Sequence, residues 1–417
     1  MYLSKSSFPS IDILLKGSNH FVRRELSGGI HKHRQRYPIV SSGFKTLIGT
    51  NILNGAAFSC NQGTPSQPRS PYSQSASAPT QLGDHTILPA AYVAPTTGIL
   101  SLLPSSWIPY AELVRLDKPA GTYYLFFPCL FSTLMAASYA SSPTLPMVKT
   151  SILFFVGALI MRGAGCSIND FWDRNLDPHV ARTRLRPIAR GAISPQNAIN
   201  FTGAQLLVGF GILLQFPWSC LYYGVPSLLL VGSYPLAKRV TNYPQFILGL
   251  TFSWGAIMGF PALGIDLISD TVAATSAALL YASCVSWTVL YDMVYAHMDI
   301  KDDARAGIKS IALRHEKETK SVLTGLAVTQ VGLLAAAGWA MGAGPVFYTG
   351  SCGSAILTLG LMIWNVNLKD VGNCWWWFKN GAWFTGGGIS LGLLMEYFTQ
   401  VHDSKSQIST DDARLVD

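Results

Sequence analysis

The run TVAATSAALLYASCVSWTVLY, residues 271–291, carries no charged side chain, and the chain then turns abruptly acidic at Asp292, Asp299 and Asp303. Twenty-one such residues match the roughly 20 that a helix needs to cross a bilayer. Further charge-free runs cover residues 121–140, 191–237, 240–265 and 321–368, and several are long enough for two crossings. A soluble core built of short buried helices cannot absorb so many. Over all 417 residues, 49% are hydrophobic and 12% charged, against about 25% charged in a soluble domain. The expected fold is all-α, a polytopic membrane bundle of about nine helices, near 118–138, 147–168, 196–215, 219–237, 244–264, 271–293, 320–341, 346–365 and 379–399. Gly342 to Pro345 supplies the break between the seventh and eighth.

Residues 1–100 follow different rules. Nine Lys and Arg side chains face Asp12, Glu25 and Asp84 alone, serine is plentiful, and Thr64 to Leu82 is a Pro/Ser/Gln/Ala stretch without core-building pattern. A basic, Ser-rich, acid-poor N-terminus has the composition of a mitochondrial transit peptide. The expected organisation is therefore a disordered region with transit peptide at 1–100, a membrane domain at 101–399 approached through an amphipathic segment from Trp107 to Arg115, and a polar tail at 400–417. The seven cysteines are scattered, without metal-ligand spacing, which excludes a zinc site and a disulfide framework.

Loop charges orient the bundle. Loops after even-numbered spans hold Arg174, Arg182, Arg184, Arg186 and Arg190, then Lys238 and Arg239, then Lys301, Arg305, Lys309, Arg314, Lys317 and Lys320, then Lys369. Loops after odd-numbered spans hold little beyond Lys149. The positive-inside rule places the even loops and the N-terminus on one side, which in a mitochondrial inner membrane is the matrix. The bilayer itself is the first partner, and no nucleic acid is expected.

Two even loops carry carboxylates in helical register. Asn169, Asp173 and Asp177 are spaced i, i+4, i+8, so a helix extending from the second span would align them. Asp292, Tyr295, Asp299 and Asp303 are spaced i, i+3, i+7, i+11, again one face. Like charges four residues apart repel, so these rows ask for a cation. Hard oxygen ligands at the rim of an apolar bundle suit Mg²⁺, which takes one or two carboxylates plus substrate phosphates. Arg182, Arg186, Lys238, Arg239 and Lys309 follow the clusters and suit phosphate oxygens. Arg162 lies at the end of an apolar span, seven residues before Asn169, where an ionisable group is a functional candidate and could hold a second, anionic substrate. Together these point to an enzyme that activates a lipid diphosphate, with Mg²⁺ stabilising the departing charge. Aromatic faces at Tyr234, Trp287, Tyr291 and Tyr295 could stabilise an allylic cation, and for Trp287 a lipid-facing or packing role is an equal expectation. A secondary transporter would instead carry ion-binding groups near the midplane, whereas these carboxylates gather at one face.

Arg115-Leu116-Asp117-Lys118-Pro119, Met161-Arg162-Gly163-Ala164-Gly165-Cys166-Ser167-Ile168-Asn169-Asp170, Arg186-Pro187-Ile188-Ala189, Tyr234-Pro235 with Lys238-Arg239, and Tyr291-Asp292 with Tyr295-Ala296-His297, Asp299 and Asp303 resemble the motifs of the UbiA superfamily of intramembrane prenyltransferases. The resemblance spans about 106–397 and is greatest to the mitochondrial 4-hydroxybenzoate polyprenyltransferases of ubiquinone biosynthesis. It implies transfer from a polyprenyl diphosphate to 4-hydroxybenzoate, ortho to the hydroxyl, with other ubiquinone-pathway enzymes as further partners. Carried over residue by residue, it implies Mg²⁺ at Asn169, Asp173, Asp177, Asp292, Asp299 and Asp303, and diphosphate at Lys238 and Arg239. Arg162 would face the acceptor carboxylate, beside Tyr234 and Tyr295. Asp173, Asp177, Asp299, Asp303 and Arg239 would be catalytic. Ubiquinone-pathway members often continue Cys-Trp-x-x-Phe with Asn-Arg; here Lys379-Asn380-Gly381 follows Cys374 to Phe378, which keeps another phenolic acid open as acceptor.

Overall fold

The computed structural model describes residues 92–179, 183–300, 303–304 and 309–416, with side chains described outside 179, 233–239 and 404–416. The proposed transit region through residue 91 lies outside them. A short helix, Ile108–Leu113, leads in. The long helices are α1 (Ala120–Tyr139), α2 (Thr144–Trp172), α3 (Pro195–Leu213), α4 (Trp218–Val240), α5 (Pro244–Ala262), α6 (Thr271–Ala296), α7 (Thr319–Ala340), α8 (Pro345–Asn365) and α9, continuous from Val371 to Val416 through a π-turn at Ala382–Gly387.

All the expected spans fall on helices. Among the described residues, six helices (α1, α2, α5, α6, α7 and α8) are long and apolar enough to cross a membrane. The fold is thus an all-α polytopic membrane bundle. The helix α3 has the length, but Gln196, Asn197, Asn200 and Gln205 lower its hydropathy. The last helix begins eight residues before the expected span and continues through the segment read as a tail.

Helix α1 is the central post. Burial reaches 78% along α1, against 17% along α2, and α1 packs on α2, α5, α6 and α9. Its approach to α5 is backbone-close because Gly255 and Gly259 meet it: the Ser132 hydroxyl donates to the Gly255 carbonyl (2.8 Å) and accepts from the Gly259 N–H (3.0 Å). Small residues four apart permit such contact in a bilayer, where apolar burial between helices is no driving force.

The α7–α8 break falls at Gly342, whose φ of 70° favours glycine. Pro345 opens α8, and the buried Glu396 of α9 supplies the acceptor that its N-terminus needs, taking bonds from Gly344 N–H (2.6 Å) and Phe347 N–H (3.0 Å). All six cysteines among the described residues are free and buried.

Candidate active site

The site is built at the end of α2. That helix is unbroken from Thr144 to Trp172, so Arg162 lies two turns, about 10 Å, deeper than Asn169. The helix stops at Trp172, and Asp173 is its C-cap, donating its N–H to the Asn169 carbonyl (2.9 Å). The Asp177 N–H returns to the Asp173 carbonyl (2.9 Å), and Asp177–His179 forms a 3-10 turn. The expected i, i+4, i+8 face therefore ends at Asp173. Asp177 is drawn inward instead: it is buried and accepts two bonds from Arg186, at 3.0 and 3.2 Å.

The same guanidinium reaches Asp170 at 3.1 Å, and Arg115 reaches Asp170 at 3.0 and 3.2 Å. Asp170 is 2% exposed, against 22% for Arg115 and 17% for Arg186. Two carboxylates and two guanidinium groups thus lock the helix before α1, the end of α2 and the following loop together. Arg115 adopts a φ of 59°, which costs a non-glycine residue roughly 1–2 kcal/mol. The Leu116 N–H closes onto the Ala111 carbonyl in the helix-terminating bond usually made around glycine. Arginine occupies this turn because its side chain meets Asp170.

Helix α1 joins the two acidic segments. Its Gly121 sits against the Arg162 guanidinium, where a Cβ would collide with Nε. Arg162 donates to the Cys166 thiol, its Nε is buried without a hydrogen-bond partner, and no carboxylate among the described residues reaches it. One turn along α1, Tyr124 stacks on Tyr291 of α6 with ring centroids 3.5 Å apart. Arg162 and Tyr291-Asp292 consequently flank the first turn of α1, and the C-terminal ends of α2 and α6 share one end of the bundle.

At that end α6 stops at Ala296 rather than continuing through Asp303. His297 caps it: its Nδ1 pairs with the Met293 carbonyl (2.8 Å) and its Nε2 with the Thr319 hydroxyl (3.1 Å). Asp299 and Asp303 lie beyond, linked by the Asp303 N–H to the Asp299 carbonyl (2.8 Å). The single helical face expected for 292–303 is therefore true only of Asp292 and Tyr295. Three carboxylates on one face would repel, and the turn at His297 breaks that row.

An aromatic wall backs this end. Tyr124, Trp287 and Tyr291 pack together, Phe378 of α9 lies 5.2 Å from Tyr124 and 4.6 Å from Tyr295, and the Tyr124 hydroxyl donates to the Phe378 carbonyl (2.8 Å). Trp287 is fully buried within the wall, so it does not face lipid. Lys309 donates to the Val240 carbonyl (3.5 Å), which brings the loop after α6 to the end of α4. Arg182 lies outside the described residues, as do the side chains of Tyr234, Lys238 and Arg239.

Arg115, Asp170, Gly121 and Tyr124 are additions that the sequence reading did not assign. Arg115 and Asp170 stood inside recognised motifs, but their partnership spans 55 residues and has no local signature. Among the described residues, no three His, Cys, Asp or Glu side chains converge as a ready-made metal cage. Asn169, Asp173, Asp292, Asp299 and Asp303 are half-buried oxygen donors. Such a set fits a hard cation that completes its shell with phosphate oxygens.

A helical membrane bundle with a guanidinium–carboxylate cluster, half-buried oxygen donors and an aromatic wall at one end defines a polytopic membrane protein with a polar site at the rim of its apolar bundle. The sequence profile of the UbiA prenyltransferase family matches residues 125–386, and the chain belongs to that family. It is 45% identical over 306 residues to a mitochondrial 4-hydroxybenzoate polyprenyltransferase of Schizosaccharomyces pombe, covering 73% of this chain and 84% of that one. The protein of that description from Saccharomyces cerevisiae is 44% identical over 304 residues, with coverages of 72% and 80%. Among solved structures, the apo UbiA homologue from Aeropyrum pernix K1 aligns with a TM-score of 0.51 at 22% identity, over 66% of this chain and 97% of that one, a likeness of fold.

Proposed function

We propose that this enzyme transfers a polyprenyl group from polyprenyl diphosphate to 4-hydroxybenzoate, ortho to the hydroxyl, as a step of ubiquinone biosynthesis. The observation that carries the reading is 45% identity extending over 84% of the S. pombe relative. The site supports it through a buried, unpartnered guanidinium nitrogen on Arg162, whose side chain packs on Gly121, one turn of α1 from Tyr124 of the aromatic wall.

In this reading Asn169, Asp173, Asp292, Asp299 and Asp303 hold Mg²⁺, which supplies Lewis-acid stabilisation of the leaving diphosphate. Asp177, already paired with Arg186, positions that guanidinium and is left out of the ligand set. Arg182, Arg186, Lys238, Arg239 and Lys309 bind diphosphate oxygens. Arg162 takes the benzoate carboxylate, and Tyr234 and Tyr295 border the ring. The allylic carbon–oxygen bond breaks, with its electron pair leaving on the diphosphate. The ring carbon ortho to the phenol bonds the allylic carbon, and loss of its proton restores aromaticity. The wall of Tyr124, Tyr291, Trp287 and Phe378 excludes water from the electron-poor allylic carbon and offers it ring faces.

The helices α3, α4 and α9 complete nine crossings. Loop charges and the basic N-terminus support a mitochondrial inner membrane location with the aspartate loops in the matrix. The test is a membrane-fraction assay with Mg²⁺, labelled polyprenyl diphosphate and 4-hydroxybenzoate, with other phenolic acids in parallel. Metal-dependent prenylation of 4-hydroxybenzoate is expected. Preference for another phenolic acid would keep the chemistry and overturn the acceptor, an outcome that the Lys379-Asn380-Gly381 departure makes worth including.

A further inference from the structure

A second feature lies on the lipid-facing side, between α7 and α8. A groove of about 910 Å³ runs between them, lined by Lys320, Val331 and Gly332 of α7 and by Ile356, Gly360 and Trp364 of α8, among others. None of its described lining residues belongs to the aspartate or arginine cluster. The groove has polarity along its length. At one end the Lys320 ammonium donates to the Trp364 carbonyl (3.1 Å), and the Trp364 ring is exposed. At the other end the lining is apolar. From Lys320 to Gly332 is twelve residues, about 18 Å of helix, close to one leaflet of a hydrocarbon core about 30 Å thick. Lysine and tryptophan together mark a membrane–water interface.

We propose that this groove is a binding site for a glycerophospholipid, one acyl chain lying along α7 and α8 and the phosphate on Lys320. Three observations converge on that occupant. The depth is close to one leaflet, about 18 Å against about 15 Å, so a lipid standing in the bilayer fits the groove without leaving its own orientation. The recess exists because Gly332 and Gly360 lack side chains; a Cβ at either would meet no atom within 4 Å, so the space is open to a chain. Among the described residues, the one cation lining it sits at the interfacial end, and its bond to Trp364 fixes the ammonium there while leaving two N–H donors for a phosphate. The adjoining segments carry Arg314, Lys317 and Lys369 against Glu316, Glu318 and Asp370, so Lys320 decides the local preference.

The test uses the full-length protein, purified in detergent and delipidated. Phosphatidylglycerol or diacylglycerol with the same acyl chains is titrated in, and bound lipid is counted by native mass spectrometry alongside thermal unfolding. The wild type should retain phosphatidylglycerol and gain several degrees in melting temperature, with diacylglycerol weaker. Lys320→Gln should weaken phosphatidylglycerol about fivefold, the weight of one lysine near a lipid phosphate, while Lys149→Gln at the opposite end of the bundle should not. Gly332→Leu with Gly360→Leu should abolish retention and leave lipid-free melting unchanged; if that pair fails to fold, Gly360→Leu alone is read against Lys320→Gln. Equal retention of diacylglycerol, or indifference to Lys320→Gln, would overturn the phosphate contact. A filled groove that shifts polyprenyl chain-length selectivity without touching phospholipid retention would assign the groove to the substrate tail and overturn the proposal.

Discussion

Replacing Asp170 by alanine tests whether the buried charge cluster holds the site together. The carboxylate is 2% exposed and is the shared partner of Arg115 and Arg186 at 3.0 and 3.1 Å. Its removal leaves Arg115 without its partner and Arg186 with Asp177 alone. Breaking a buried pair by deleting one member costs about 3–5 kcal/mol. The left-handed turn at Arg115, φ 59°, then loses the contact that offset its roughly 1–2 kcal/mol of strain. The guanidinium groups are partly exposed, so water recovers some of this, and about 3 kcal/mol is the expected loss. At roughly 2 °C per kcal/mol, the low end of the range for chains of 150–250 residues, thermal unfolding in nanodiscs should move down by about 6 °C. Asp170→Asn, which keeps the shape but not the charge, should lose less. A double-mutant cycle with Arg186→Met should return a coupling of at least about 1 kcal/mol. A fall under about 2 °C for Asp170→Ala would refute the claim that this cluster organises the end of α2.

The metal proposal behaves oppositely. Asp173→Ala and Asp299→Ala should cost more than about 100-fold in turnover at saturating Mg²⁺ with melting unchanged; near-normal rates would remove these residues from the ligand set. Gly121→Ala pushes a Cβ into Arg162 and should raise the acceptor KM about tenfold with the diphosphate KM intact, so equal effects on both would sink the Arg162 assignment. Glu396→Ala strands the N–H groups of Gly344 and Phe347 and should cost about 2–3 kcal/mol, seen as a lower melting temperature with kinetics preserved in the folded fraction. Asp270 caps α6 by accepting the Ala273 N–H, which with the Tyr139 hydroxyl holds its carboxyl below the usual range. A depressed carboxylate stabilises above its unfolded pKa of about 3.9 and loses that contribution as pH falls through the folded value. The protection of the Ala273 amide against exchange, relative to the unstructured chain at the same pH, should therefore fall only below about pH 4; loss of protection already near neutral pH would contradict the cap.

Membrane residence, helix positions and the acidic segments are legible in sequence because each depends on local chemistry. A charge-free run of 21 residues has few structures open to it in any context, and carboxylates four apart announce a cation or an arginine wherever they fold. Reading by helical period failed where a helix ends. Periodicity continues through Asp177 and Asp303 on paper, but helix termination depends on partners elsewhere: Arg186 draws Asp177 inward, and His297 bonded to Thr319 closes α6. Tertiary structure alone decided which acid is structural. Asp170 stands between Asn169 and Asp173 in the chain, and only its burial against Arg115, 55 residues away, separates it from its neighbours. It also decided that Gly121 and Tyr124 of α1 bring Arg162 and Tyr291-Asp292 to one place. Sequence determines what each segment can bind; distance along the chain says nothing of which segments meet, because that is settled by packing.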